Sequence, residues 1–537
     1  AMELTGELQL VVDTGDLEMT GQASAGQTML RVVQGSLVMS DAVAGGSPAA
    51  RFTANGDAYV AVNGDITLSQ FTVANGLLTM SADRGNFVDG TMAESAAQPN
   101  IEVTGTGRIV KLTALSMGDA TEEGEIEISA AHIDRIQTLA GSGAAATASV
   151  SGGQVSSVAI TQAGNSYNPR AVPVVSFSGG GGSGATGVAI VNEAGQLTGV
   201  QITSAGSGYT SAPTLRIEDS RVMGSIHTEF TRGTALDVLI TPNTWRNQIS
   251  SGDLTLQTSA QANAMSLTAD QGKLILQEDS ALTAATTLDM RLQGGLLAQA
   301  NSVVSARNIQ GQVGAGDVDL ANKALITAAD TLDFGVTTGD VNLATEAKMM
   351  AAKSLSLSVT TGDVSLSSQA KLTSGDAMTV SVGTGDIQLD HASADAAKRM
   401  QWQVGAGDVV LTASSIANGS DSLRWQIGGN VTLQQDSALT LQGITDMSLL
   451  SDFTLKEDSS VSSTGRWSLA ALGQVQLRDT SAWVVQGVQN LLVGQNFELQ
   501  SQACVTVTGS MLGAIGGGCV VARANTMACL AGLEPGS

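Results

Sequence analysis

Between residues 313 and 411 the aliphatic positions repeat in one pattern. The segments are VGAGDVDL (313–320), VTTGDVNL (336–343), VTTGDVSL (359–366), VGTGDIQL (382–389) and VGAGDVVL (404–411). The glycine of each Gly-Asp pair falls at Gly316, Gly339, Gly362, Gly385 and Gly407, at spacings of 23, 23, 23 and 22. An apolar-polar-apolar triplet follows each pair, as in Val341/Leu343 and Ile387/Leu389. A longer alternating run precedes it, as in Leu355/Leu357/Val359 and Met400/Trp402/Val404. Period-two alternation marks a strand with one buried face. The i, i+3, i+4, i+7 spacing of an amphipathic helix is absent from these repeats.

A third short run, such as Lys323–Thr327 or SALTL (437–441), follows each triplet. Three short strands and three turns fit in about 22 residues at roughly 3.3 Å per strand residue. A fixed period in this range means stacked units that each pack on their neighbours. The pattern predicts an all-β chain folded as a parallel β-helix, right-handed because parallel crossovers usually are. The same lattice continues through Gly429, Ser451, Gly473 and Gln495, and back through Gly294, Gly272 and Gly252.

The rest of the chain is punctuated by departures from that lattice. Residues 1–139 carry glycine-centred turns at Gly15, Gly35, Gly64, Gly85, Gly107 and Gly124, at spacings of 20, 29, 21, 22 and 17. This is expected to be the same solenoid with irregular coils. Residues 140–219 lose the period and instead duplicate. GSGAAATASV (141–150) recurs as GSGATGVAIV (182–191), and ITQAGNSYNPRAVPVVSF (160–177) recurs as ITSAGSGYTSAPTLRI (202–217). That predicts a small β-module inserted at a corner of the solenoid. Regular coils are expected over 220–507, and 508–537 reads as a terminal cap or docking tail. About twenty coils would make a stack roughly 100 Å long at the usual strand spacing.

Composition narrows the function. The chain carries a net charge of −24 with a pI near 4.3, and has no basic run. Nucleic acids and anionic membranes are bound through Lys/Arg clusters, so neither is an expected partner. No stretch of 18 apolar residues is present, so no transmembrane helix is expected. The chain opens as AMELTGELQL, already in the repeat style with no signal peptide in view. It reads as a mature or excised piece of something longer.

Candidate chemistry is sparse. The repeated Asp317, Asp340, Asp363, Asp386 and Asp408 form one column, continued by Asn430 and Asp452. At a coil spacing of about 4.8 Å, neighbouring carboxylates repel by about 0.9 kcal/mol even at the dielectric of water. Either each carboxylate accepts a turn amide and faces solvent, or the column binds divalent cations, with Ca²⁺ the candidate. The three cysteines, Cys504, Cys519 and Cys529, all lie near the C-terminus. The odd count allows one disulfide plus a free thiol, with Cys519–Cys529 the candidate pair, or an intermolecular link, or three reduced buried thiols. Trp402 and Trp425 fall in alternating runs of neighbouring coils and are expected to stack inside the shaft. The alternative is an exposed sugar platform. His132, His227 and His391 are isolated, and no GxSxG or HExxH motif occurs. No helix follows the Gly-Asp turns, so they are not dinucleotide loops. No enzymatic activity is expected.

Two segments, KLILQEDSALTAATTLDMRLQGG (273–295) and GNVTLQQDSALTLQG (429–443), resemble the coils of filamentous-haemagglutinin-like and autotransporter-passenger proteins. Those are large secreted bacterial adhesins built as right-handed β-helices. GSGYTSAPTLRI and GGGGSGATG of the insert are similar to glycine-rich repeats of phage tail and large bacterial surface proteins. The resemblance implies an extracellular or cell-surface structural or adhesive protein, rod- or fibre-forming, with no cofactor. Its partners would be other copies of itself, end to end or side by side, or a host or cell-surface ligand held by the 140–219 module. The alternatives are a carbohydrate-active β-helix enzyme of tailspike or lyase type and a calcium-binding surface-layer component.

Overall fold

The computed structural model describes residues 2–39, 50–91, 99–118, 124–138, 141–167, 173–192, 194–218, 225–230, 233–241, 244–507, 510–516 and 520–522. The chain forms two compact units, residues 1–248 with 259–265 and residues 249–258 with 266–537. Both contain parallel stacked coils, and no α-helix occurs among the described residues.

In the second unit each regular coil has three β faces, the short and long ones running together in Val303–Ala315 and Leu325–Thr338 and forming separate strands in the later coils. A triplet face stacks Leu274, Leu296, Val318, Val341, Val364, Ile387, Val409, Val431, Phe453, Val475 and Phe497 in register. A short face follows, with strands such as Lys348–Ala351, Lys371–Ser374 and Ser393–Ala396. A long face closes the coil, with Ser354–Thr361, Ala377–Thr384 and Arg399–Ala406. All three faces pair in parallel with the next coil. The alternation seen in the sequence is the alternation of burial: Val341, Val364, Leu355 and Leu357 are buried, while their neighbours face out. Each fully buried aliphatic side chain adds about 1.5–3 kcal/mol. Trp402 and Trp425 are buried and stack face to face, with ring centroids 4.6 Å apart and planes 3° apart. The sugar-platform alternative is therefore excluded.

Two corners of the coil have their own chemistry. Between the triplet and short faces, a solvent-facing residue takes positive φ: Glu346, Gln369, His391, Ser414, Asp436 and Asp458 in successive coils. The next residue in each is small and buried: Ala347, Ala370, Ala392, Ser415, Ser437 and Ser459. A left-handed non-glycine residue costs about 1–2 kcal/mol, and here that turn tucks a small side chain into the corner. Between the short and long faces, Asp330, Lys353, Asp376, Lys398 and Asp421 stack with alternating sign, joined by backbone hydrogen bonds. Lys353 Nζ lies 2.8 Å from Asp330 Oδ1, and Lys398 Nζ lies 3.4 Å from Asp376 Oδ2. The Lys353 hydrogen bond holds the partly exposed Asp330 carboxyl below its ordinary range.

The first unit stacks Leu10, Leu30, Val60, Met80, Leu112, Ile136 and Leu239 in one column. Its triplets at Leu17, Leu37, Ile66 and Phe87 are in register, as their glycine turns suggest. The turns at Gly107 and Gly124 are not their equivalents. Arg108–Ala114 pairs with Leu77–Ala82, and Ile126–Ala130 stacks on Ile101–Thr104, which are the other two faces of the coil. The residue that continues the triplet column is Met117, bridged to Phe87.

The other two faces cross the duplicated region unbroken. Ile126 pairs with Ile226 and Ile136 with Leu239, so the coil before the insert rests directly on the coil after it.

Candidate functional site

The aspartate column is a hydrogen-bonded ladder. The Asp340 N–H donates to Asp317 Oδ1 at 2.9 Å, and the amides of Asp363, Asp386 and Asp408 each donate to the preceding coil's Oδ1 at 2.8 Å. Asn430 continues it, donating its N–H to Asp408 Oδ1 at 2.6 Å and accepting from the Asp452 amide at 3.2 Å. The amide each carboxylate accepts belongs to the next coil, so the column ties layers together. A hydrogen bond to a charged acceptor contributes about 1.5–3 kcal/mol. That exceeds the repulsion of about 0.9 kcal/mol between neighbouring carboxylates, so the like-charged column is tolerated. Asp16, Asp65 and Asp253 cap the amides of Ser36, Asn86 and Lys273 in the same way. The sequence reading missed these three, although each follows a glycine of the lattice.

Each ladder bond is accepted by Oδ1, and Oδ2 of Asp386 and of Asp408 accepts from Gln388 Nε2 at 3.5 Å and from Asn430 Nδ2 at 3.3 Å. Among the described residues no group of three or more His, Cys, Asp or Glu side chains is placed to hold a metal ion. Asp363→Asn is expected to be neutral within about 0.5 kcal/mol, as Asn430 keeps the ladder without charge. Asp363→Ala is expected to cost about 1.5–3 kcal/mol and to speed exchange of the Asp386 amide. Hydrogen exchange by NMR or mass spectrometry reads both. Addition of Ca²⁺ or a chelator should leave the thermal midpoint unchanged, and a calcium-dependent rise would return the column to a metal-binding role.

A second polar cluster lies inside the first unit. Glu125 is buried, with Arg246 Nη2 at 2.8 Å and His227 Nδ1 at 3.8 Å from its Oε2. A carboxylate that close would draw a proton onto the imidazole. Burial and then the Arg246 charge outweigh it, and the His227 pKa is lowered. The unfolded ring therefore binds a proton more readily than the folded one, so His227 costs stability as pH falls below about 6.5 and the cost levels off below the folded pKa. His227→Gln is expected to flatten that part of the stability–pH curve, measured by denaturation between neutral and mildly acidic pH. The imidazoles of His132 and His391 lie 2.9 Å from the carboxylates of Asp134 and Asp390.

The module between residues 142 and 218 has two interlocked halves. The first hairpin is Ser142–Ser151 with Gln154–Asn165, and the second is Ser183–Val191 with Leu197–Ser207. Both carry two register shifts at matching places, one near Ala145 and Thr186 and one near Ser149 and Ile190. After each hairpin comes a tyrosine and a strand, Val174–Ser178 or Thr214–Glu218. These two strands pair antiparallel about the central pair Ser176–Arg216. The tyrosines exchange halves. Tyr167 packs with Ala189 and Leu197 of the second hairpin, and Tyr209 with Ala148 and Val155 of the first. Tyr167 N–H donates to Gly195 O at 3.0 Å, and Tyr209 N–H donates to Gly153 O at 3.1 Å. A Cβ on Gly141 would meet the Tyr167 ring at 2.2 Å, and one on Gly182 the Tyr209 ring at 2.5 Å, which accounts for the glycine at the head of each copy.

The halves differ on their outer faces. Val174, Val188 and Ile190 lie together and are 54%, 43% and 50% exposed. The equivalent positions of the other half are the exposed Thr214, Thr147 and Ser149. The fold is thus built equally well with polar residues there.

Cys504 makes no disulfide among the described residues, and its Sγ lies 3.6 Å from Thr506 Oγ1. Cys519 and Cys529 lie outside the described residues. No helix among the described residues is long and apolar enough to cross a membrane. The sequence matches no family model, and comparison with curated proteins and with solved structures finds no match.

Proposed function

We propose that the chain is a non-enzymatic structural or adhesive protein of a bacterial surface, in which stacked coils present the 140–219 module to a cell-surface ligand. The observation that carries this is the graft itself. The module has its own two hydrophobic clusters, and it leaves and re-enters between coils that rest on one another in register. A segment that adds nothing to the stacking around it, yet is separately folded, is free to serve recognition. The exposed Val174, Val188 and Ile190 face is the part of the module its own architecture leaves unexplained. The resemblance of the coils to secreted adhesins points the same way.

The test is binding of cells by beads coated with the protein. Three forms are compared: the whole chain, a chain lacking residues 139–224, and a chain with Val174→Thr, Val188→Thr and Ile190→Ser. The deletion is expected to keep its β-type circular dichroism and lose binding. The triple exchange, which copies the polar residues of the other half, should weaken binding at least tenfold with the module folded. Equal binding by the deletion sinks the display reading.

A further inference from the structure

The outer side of the long face changes character along the second unit. In the coils at 354–361, 377–384 and 399–406 its outward positions are small, polar or charged: Ser354, Ser356 and Ser358, then Ala377, Thr379 and Ser381, then Arg399, Gln401 and Gln403. Four coils run through the strands Ile444–Leu449, Arg466–Ala471, Val488–Val493 and Ser510–Ile515. In them Ile444, Leu450, Leu472, Val488, Leu492 and Leu512 point outward, 45–75% exposed. These strands pair with one another in register, so the six side chains form one patch. The same sheet folds with small, polar or charged residues at the equivalent positions, Ala377, Arg399 and Ser422 in line with Ile444, and Thr360, Gly383, Gly405 and Gly428 in line with Leu450, so stacking does not demand the apolar residues. Contiguous exposed apolar patches of a few hundred Å² mark interaction surfaces.

The charges on the patch select the partner. The whole chain carries −24, and most surfaces would repel a second copy. Across these four strands the outward positions hold one acid, Asp446, and one base, Arg466, one coil further and two residues back along the strand. Neither makes an ion pair among the described residues. The exposed Arg424 of the coil before lies in register beside Asp446 and borders the patch; within the four strands the single acid and single base make the face complementary to itself. A two-fold axis lying in the interface between the two charges brings Arg466 of each copy over Asp446 of the other, and sets the leucine side chains against each other.

We propose that this face is a self-association surface, on which a second copy of the chain docks about such an axis. Three coil intervals by about six residues is roughly 15 Å by 20 Å. That is less than half of the roughly 800 Å² each partner buries in a standard interface, so the association is weak and concentration-dependent. It would become significant where many copies are held side by side. It does not depend on what the inserted module binds.

Sedimentation velocity on the whole chain, from low micromolar to near-millimolar concentration, tests it. The wild type should show a reversible monomer–dimer shift. Leu472→Glu should abolish it, and Arg466→Glu or Asp446→Arg alone should weaken it at least tenfold. All three sites are exposed, and circular dichroism checks that each variant is folded. An equimolar mixture of the Arg466→Glu and Asp446→Arg chains should dimerise again, because every cross-copy pair is then opposite in sign. A monomer at every concentration overturns the proposal, whether the patch then proves to be covered by residues 523–537 or by another protein. A dimer indifferent to these changes overturns it too.

Discussion

Gly362→Val is expected to unfold the central coils of the second unit. Gly362 has φ of +136°, a conformation side chains rarely adopt, and a Cβ there would lie 2.1 Å from Gly339 O and 2.6 Å from its carbonyl carbon. Both obstacles are backbone, so no rotamer change relieves them. The same conflict recurs up the column: 2.3 Å at Gly339, 2.1 Å at Gly385 and 2.0 Å at Gly407, each against the glycine one coil earlier. Strain and overpacking together are expected to cost about 3–5 kcal/mol. The loss should be local, since each coil leans only on its neighbours. Hydrogen exchange should show lost protection around residues 339–411, with the strands near Phe497 still protected. Unchanged protection at Val364 and Val382 would mean that the corner relaxes and the glycine column is dispensable. Ser451 occupies the equivalent position two coils beyond Gly407 without positive φ, which confines the strict requirement to the run that ends there.

That glycine column shows what could be read without coordinates. The spacing and the alternation placed every triplet from Leu254 to Phe497, because a solenoid writes the same packing problem once per coil and the answer repeats. The turns at Gly107 and Gly124 were misplaced for a related reason. A glycine followed by an alternating strand occurs at every corner of a coil, so in irregular coils it does not say which face comes next. The glycines also carry a second demand that no sequence shows: Gly316 lacks positive φ, yet a Cβ on it would lie 2.1 Å from Gly294 O. Crowding between layers, more than backbone conformation, is common to the column.

The aspartates teach the same lesson. Their column was legible, but their partner is an amide one coil away, a contact between residues 22 or 23 apart that depends on register. The alternating Asp330, Lys353, Asp376, Lys398 and Asp421 corner went unread because its members sit among other charges with no fixed motif around them. In the insert the duplication was plain, but the exchange of tyrosines between halves was not, since two linked halves can pack with or without crossing over.

Tyr167→Ala should melt the module and leave the coils standing. The ring is buried against Ala189 and Leu197, its N–H donates to Gly195 O, and its hydroxyl accepts the Ala144 N–H at 3.3 Å. One side chain thus joins both hairpins. Removing a buried aromatic ring costs about 3–5 kcal/mol, a large part of the 5–15 kcal/mol a small domain possesses. Tyr209→Ala should do the same, because Tyr209 holds the mirror position, its hydroxyl 3.4 Å from the Ala185 amide. Tyr167→Phe keeps the ring and should lose only about 1 kcal/mol. Calorimetry is expected to show a separate module transition that drops or vanishes in the alanine variants, while the main transition holds. Protease should then cut between residues 141 and 218 first. The coils are indifferent because Ile126 meets Ile226, and Ile136 meets Leu239, without any residue of the module between them. A single transition that moves as a whole would show that module and coils fold as one cooperative body, and the graft could no longer be separated from the scaffold that carries it.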